Sequence, residues 1–363
     1  MYMSDFFEID FLDVESSKSG DAITVRYQIN NISKIHVIDG GFQATGEKVV
    51  KHINQYYGNP TFIDRVIVTH PDGDHAGGLR AVIEHFTVGE LWMLRPWIYA
   101  DEIVDRFTRF TSIENLKTRL KQIYPNLAAL EEIAKEKDIL IYEPFQGANI
   151  GEFKVLAPSR QRYLDLIVDS EKTPESVDET EKSAIDTFTS IIEEAAKKFI
   201  TLIKAVWGDE VFSLNETSAE NEMSVVQYAN IAGSKILLTG DVGRAGLNEA
   251  ADFSPNVGLT LPGIDRFQVP HHGSRRNVST VILDRWLGER LPEDSQVRKF
   301  TALISSALKD EHHPRKSVIR ALIHRGAGVF STEGKSLRTA SDNAPARNWT
   351  KATPYSYPDE QES

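Results

Sequence analysis

Six consecutive residues, His70-Pro71-Asp72-Gly73-Asp74-His75, carry four groups able to hold a cation, directly after an apolar run over 62–69. Imidazole nitrogens and carboxylate oxygens are the donors that borderline and hard divalent ions take. A tight turn with Gly73 at its middle points all four into one small volume. A helix cap or a satisfied polar side chain accounts for one such residue and not for four. Two later apolar runs end in the same manner: Leu237-Leu238-Thr239-Gly240-Asp241 delivers a carboxylate, and Val269-Pro270-His271-His272-Gly273-Ser274 delivers adjacent imidazoles. Each alone is ordinary, because an Asp after a strand is an N-cap as often as a ligand. Together they point to a metal centre drawn from His70, Asp72, Asp74, His75, Asp241, His271 and His272, with the choice between the last two open. The chain has no cysteine, which removes thiolate ligands, disulfides and thiol nucleophiles together.

The elements that must position these groups alternate between strand and helix. Strands are expected at 6–14, 22–29 and 34–38, the last ending at Asp39-Gly40-Gly41. A helix over 45–57 stops at Gly58-Asn59-Pro60, and a buried strand over 62–69 runs into the His70 motif. The rhythm breaks between about 100 and 210. There 101–137 reads as mostly helical, 139–142 and 153–156 as short strands, and the acidic stretch 169–182 as a linker or loop, with a lid over the site as one role for the insertion. Ile185, Phe188, Ile192, Ala195, Phe199, Leu202 and Val206 share one face of an amphipathic helix. Strands at 224–231 and 235–239, a helix at 244–251, then a strand at 266–269 restore the alternation. A helix at 281–287, a strand at 300–305, a helix at 316–324 and a strand at 328–331 complete it. The division expected is one domain over 1–338 with a helical insertion at about 100–210, followed by a frayed polar tail over 339–363.

Composition bounds the partners. Of 363 residues, 40% are hydrophobic and 26% charged, enough for a sizeable core. No apolar run reaches the about 20 residues that span a bilayer, and the start lacks the basic-then-apolar pattern of a leader. A cytoplasmic protein with no membrane partner is therefore expected. The formal charge of −12 argues against a protein that coats nucleic acid, since phosphate neutralisation dominates such binding. It argues less against a nuclease, which needs only a local patch.

The motif set resembles the metallo-β-lactamase superfamily, in which a strand ends in an HxHxDH motif, a later strand ends in a bridging Asp, and a final strand supplies another His. The resemblance implies an α/β fold, the αββα four-layer sandwich. It gives His70 the first motif position, Asp74-His75 the last two, Asp241 the bridge, His271 or His272 the final place, and Asp39 a supporting role through hydrogen bonds. Within the superfamily the likeness is to the soluble hydrolase domain of ComEC-type DNA-uptake proteins, carried by HPDGDHAGGL at 70–79, NEMSVV at 221–226, LLTGD at 237–241, PHHGS at 270–274 and His312-His313-Pro314. It implies nuclease or phosphodiesterase activity on a nucleic acid or nucleotide, with two divalent ions (zinc or manganese) activating water. Asp74, His272 and His313 are then the catalytic candidates. Asn221 (or Glu222), Ser274 and Arg275, with Arg276 beside it, are the substrate-binding ones. Two departures stand out. Asp72 replaces the second His, which favours harder ions such as manganese, and no intermediate His ligand is evident, His85 being placed on a helix. A hydrolase of small esters, thioesters or lactams on the same core is the alternative, and a non-catalytic metal-binding module is a third reading.

Overall fold

The computed structural model describes residues 4–107, 110, 112–173, 201–293 and 295–363. Strands are numbered in chain order. One sheet holds β1 (Phe6–Phe11), β2 (Ala22–Ile29), β3 (Ile32–Gly40), β4 (Phe62–Ile67), β5 (Thr87–Trp92), β6 (Leu140–Tyr142) and β15 (Leu337–Ala340), in the order β15-β1-β2-β3-β4-β5-β6. A second holds β7 (Asn149–Ile150), β8 (Phe153–Ala157), β10 (Val226–Ile231), β11 (Ser234–Leu238), β12 (Arg266–Gln268), β13 (Phe300–Ile304) and β14 (Ala327–Ser331), in the order β14-β13-β12-β11-β10-β8-β7. A short antiparallel pair joins β9 (Leu202–Lys204) to β16 (Glu360–Glu362).

Alternation along the strands builds four layers. Val37 and Val66 pack into an apolar cluster with Val49, Ile53, Leu79, Ile83 and Leu130, which belong to helices Gly46–Tyr56, Leu79–His85 and Pro125–Glu136. Their neighbours Ile38 and Ile67 point the other way and meet Ile236, Leu238 and Leu303 of the second sheet. Leu237, between two of these, faces a third cluster with Leu247, Trp286 and Leu322 of helices Arg244–Phe253, Thr280–Leu287 and Lys316–His324. A period of two buries each strand on both faces. Each large apolar side chain so buried contributes roughly 1.5–3 kcal/mol. The result is helix, sheet, sheet, helix.

The chain direction then gathers the polar ends. β3, β4 and β5 run parallel, as do β11, β12, β13 and β14. Asp39 ends β3, Thr69-His70 follows β4, Gly240-Asp241 follows β11, His271-His272 follows β12 and Ser305 follows β13. All lie beyond carboxyl ends of parallel strands, the usual place for a site in an α/β sheet.

Three expectations change, and a fourth lies mostly outside the described residues. The region about 100–210 is not wholly an insertion, because β6, β7 and β8 complete the edges of the two sheets. Of the amphipathic helix expected over 185–206, residues up to 200 lie outside the described set. Leu202 within it is not helical: the aliphatic run Leu202–Lys204 pairs with β16, a partner distant in sequence that overrides local periodicity. The stretch 169–182 falls mostly outside the described residues as well. Finally, residues 339–363 do not fray. Ala340 and Thr339 pair with β1, Arg347 binds Glu8 and Asp10, and the Glu362 carboxylate accepts the backbone N–H groups of Lys316 and Ser317 at 2.9 and 3.0 Å. That carboxylate caps a helix N-terminus. Among the described residues no helix is long and apolar enough to cross a membrane.

Candidate metal centre

Four imidazoles and three carboxylates converge where the two sheets' strand ends meet. Asp241 is at the middle. One of its oxygens lies 3.3 Å from His75 Nε2, and the other lies 3.7 Å from both His271 Nε2 and His272 Nε2 and 3.9 Å from His70 Nε2. His272 Nε2 also lies 3.7 Å from Asp74, and His70 Nε2 lies 3.9 Å from Asp72. His70, His75, His272 and Asp241 are buried, whereas Asp72, Asp74 and His271 keep about a quarter of their side chains exposed and form the mouth.

The outer hydrogen bonds set the tautomers. His75 donates through Nδ1 to Asp39 Oδ2 at 2.8 Å, and Asp39 is held in turn by Thr69 N–H at 2.8 Å and Thr69 Oγ–H at 2.5 Å. With its hydrogen used on Asp39, Thr69 Oγ can only accept from His70 Nδ1, 3.0 Å away. His272 donates through Nδ1 to the Ser305 carbonyl at 2.9 Å. Asn277 spends its NH2 on the carbonyls of Asp241 and Val242, so its Oδ1 faces His271 Nδ1 at 3.1 Å and receives that proton. All four rings thus turn Nε2 lone pairs inward. Of these, His70 Nε2, His75 Nε2 and His272 Nε2, together with Asp241 Oδ1, are buried without any hydrogen-bond partner. A single orphan of this kind costs about 1–3 kcal/mol. Four in one cluster, each oriented from behind, fit a divalent cation.

Strain supports the same reading. His271 and His272 adopt φ of 49° and 54°, and Asp39 adopts 56°. Left-handed backbone costs a non-glycine residue about 1–2 kcal/mol, and such strain gathers where side chains must be aimed. Gly240, at φ 51°, lies against Thr69 and lets the two sheets close at this point.

Burial pushes the His75 and His272 imidazolium forms down, but the Asp241 carboxylate, helped by Asp39 at His75 and by Asp74 at His272, outweighs it. His75 is held well above the ordinary value and His272 rises to about 9. Asp241, although burial pushes it up, is held well below the usual range by His75, His272 and His271. His70 is lowered by burial and by the neighbouring His75.

The remaining predicted residues divide. Asp72 lies beside His70 but its other oxygen binds Lys172 Nζ at 2.6 Å, so a cation there must displace that ammonium. His313 stacks on His271 with ring centroids 5.6 Å apart and donates through Nδ1 to Asp310 at 3.2 Å. Burial lowers it to about 4, which leaves it neutral at pH 7. Asn221 donates through Nδ2 to Thr217 Oγ at 2.6 Å, and that nitrogen lies 3.1 Å from His271 Nδ1, behind the ring. Glu222 is turned away, pairing with Arg162 and accepting N–H groups of Gly243, Ala245 and Gly246 at the start of a helix. Ser274 is buried and its hydroxyl faces Arg276 N–H at 3.3 Å; Arg275 donates to the Ser363 carbonyl at 2.8 Å. Neither is held among the ligand cluster. His85 is exposed beside Asn54, 3.4 Å away, on the helix Leu79–His85. Sequence reasoning missed Asp21, Thr69, Lys172, Asn277 and Asp310. Asp21 stands in a Gly-Asp pair that reads as a plain turn, and the others make contacts only through the fold.

The outer bonds are expected to matter nearly as much as the ligands. Asp39→Asn removes the charge that fixes His75, and a loss of about 10–100-fold in metal affinity is expected. Competition against a chromogenic chelator measures it.

The four-layer fold, with a His/Asp cluster at its strand ends, is of the metallo-β-lactamase kind. Residues 34–100 match the family model described as the metallo-beta-lactamase superfamily. Over 201 residues it is 25% identical to ComE operon protein 3 of Bacillus subtilis (strain 168), a match covering 55% of this chain and 24% of that protein. The chain thus spans about a quarter of that relative. Among solved structures, the metallo-beta-lactamase fold protein YhfI from Bacillus subtilis aligns over 93% of this chain and 100% of its own, with TM-score 0.39 and 10% identity. A diphosphatase from the PhnP family aligns over 92% and 97%, with TM-score 0.36 and 10% identity. Likenesses this distant say nothing about substrate.

Proposed function

We propose that this chain is a metal-dependent phosphodiesterase acting on a nucleic acid or nucleotide. The observation that carries the metal centre is the set of buried, unpartnered donors, His70 Nε2, His75 Nε2, His272 Nε2 and Asp241 Oδ1. Asp74, His75, Asp241 and His272 would hold one divalent ion; His70, Asp72 and Asp241 would hold a second. Divalent ions there supply charge against a phosphoryl oxygen and lower the pKa of water toward roughly 7.

The chain's own residues supply the rest. Asp39, Thr69, Asn277 and Ser305 keep the rings in one tautomer, so the centre needs little rearrangement. His313, neutral and already donating to Asp310, keeps its Nε2 lone pair as a hydrogen-bond acceptor beside His271, which suits orienting a water better than gripping an anionic oxygen. Support for a phosphate substrate comes from basic groups beside the mouth in an acidic chain. Arg244 binds the Arg276 carbonyl at 2.9 Å, and Arg315 N–H donates to the Gly273 carbonyl at 3.1 Å. Guanidinium groups pair well with phosphate oxygens, although Arg244 also donates to the Ser213 and Asn215 carbonyls and Arg275 to that of Ser363, so a phosphate would compete with those contacts. The ComEC-type motif set points to the same substrate class. Intracellular action on a soluble substrate is the setting proposed.

The test is metal analysis of the purified chain, paired with cleavage of single- and double-stranded DNA and bis(p-nitrophenyl) phosphate under added Mn2+ or Zn2+. Cleavage that disappears in a folded Asp74→Ala variant is expected. Bound metal with turnover of thioesters or lactams and none of phosphodiesters overturns the reading. Bound metal with no turnover at all makes the chain a binding module.

A further inference from the structure

We infer that Asp21 is a carboxylate ligand of the ion held by Asp74, His75, Asp241 and His272, an inference that rests on the metal centre proposed above. Asp21 immediately precedes β2, outside every motif, yet the loop it belongs to docks on the metal turn. Its backbone N–H donates to the Asp74 carbonyl at 3.1 Å and its carbonyl accepts from Gly41 N–H at 2.6 Å. Gly20 makes the approach possible, since a Cβ there would stand 2.6 Å from the Asp74 carbonyl oxygen.

The side chain is aimed as well as near. Gln268 uses its Oε1 to accept Thr239 N–H at 2.8 Å and Gly240 N–H at 3.3 Å, so its NH2 is left to donate to Asp21 Oδ2 at 2.9 Å. That pins the carboxylate. The other oxygen, Oδ1, is buried with no hydrogen-bond partner, like Asp241 Oδ1 and His272 Nε2. Ligand atoms of Asp21, Asp241 and His272 lie within 4.8 Å of one another, as do those of Asp74, His75 and His272. An anionic oxygen held away from water beside other carboxylates is unfavourable without a cation. Asp21, Asp74 and Asp241 with His75 and His272 make a set of three carboxylates and two imidazoles, which suits manganese better than zinc.

The deciding experiment uses the full chain and its Asp21→Asn variant, titrated with Mn2+ alone and read by electron paramagnetic resonance of the free ion. Melting is followed in parallel in chelator. Mn2+ affinity is expected to fall at least about tenfold, with zinc affinity falling less. The metal-free melting temperature should hold, because the amide keeps an oxygen to accept from the Gln268 NH2. Unchanged Mn2+ affinity with a lower melting temperature overturns the inference and makes Asp21 a tether for the N-terminal hairpin through Gln268. If the variant does not fold, Mn2+-soaked crystals of the unaltered chain decide. An Asp21 oxygen at about 2.0–2.2 Å from the ion supports ligation, and one beyond contact distance refutes it. Binding of neither Mn2+ nor Zn2+ by the unaltered chain sinks the metal centre itself and this inference with it.

Discussion

Asp241→Asn is expected to lower phosphodiester turnover by roughly a thousandfold and to strip metal from the protein. Four imidazole nitrogens lie within 3.9 Å of this one carboxylate, so it is the shared anion of the whole cluster. The amide keeps the shape and removes the charge. The effect should also appear in the pH dependence of metal uptake. Asp241 is the main reason His75 and His272 sit above the ordinary imidazole value, His272 at about 9. A metal can bind only once those protons leave. Affinity in the unaltered chain is therefore expected to fall as pH drops below about 9, with protons released on binding. In the variant both histidines lose their protons at lower pH, so the fall shifts downward while the affinity at high pH is much reduced. Calorimetry in buffers of different ionisation enthalpy counts the protons. A variant with unaltered metal content and turnover would remove Asp241 from the centre.

Most of the scaffold was legible because it depends on local pattern. β2, the helix Arg244–Phe253 and the helix Lys316–His324 fall where periodicity puts them. So do the strand ends carrying His70, Asp241 and His271-His272, since several apolar runs of one chain that each stop at a ligand-type side chain point to one site at the carboxyl ends of an α/β sheet. What stayed hidden depends on contacts distant in sequence. Leu202–Lys204 reads as the end of an amphipathic helix and becomes a strand only because Glu360–Glu362 comes back to pair with it. The polar segment after 339 has the composition of a tail, and its order comes from Arg347 reaching Glu8 and Asp10 at the far end of the chain. Choosing between His271 and His272 is likewise a matter of environment. Adjacent residues of one type differ only after Ser305 takes the Nδ1 of one and Asn277 that of the other. Asp21 was invisible for the same reason, being one Asp in a polar turn until Gln268 and Gly20 place it.

The largest stability effect is expected far from the metal, at Glu210. Its side chain is 1% exposed and receives donors from several directions: His324 Nδ1 at 2.8 Å, Arg325 Nη1 at 2.6 Å and Nη2 at 3.2 Å, and Thr280 Oγ at 2.7 Å. Arg325, itself buried, also binds Asp284 at 2.6 Å. The group ties the segment after β9 to two of the outer helices. Removing one partner of a buried pair leaves the other without compensation, so Glu210→Ala is expected to lower unfolding stability by about 3–5 kcal/mol, read from urea midpoints, with metal content unchanged. The pH dependence carries the sign. Burial pushes the Glu210 carboxyl up, but His324 and Arg325 outweigh it and bring it to about 2, against an ordinary 4.5. A depressed carboxyl contributes stability that is complete above the ordinary value and is lost as pH falls toward the folded one. Roughly 2–3 kcal/mol should therefore disappear between about pH 4.5 and 2, after allowance for solvent screening. Glu210→Gln has no proton to gain there, so its urea midpoint should approach that of the unaltered chain as the solution is acidified. A gap that stays constant across that range would mean the carboxylate is not what the arginine and histidine hold.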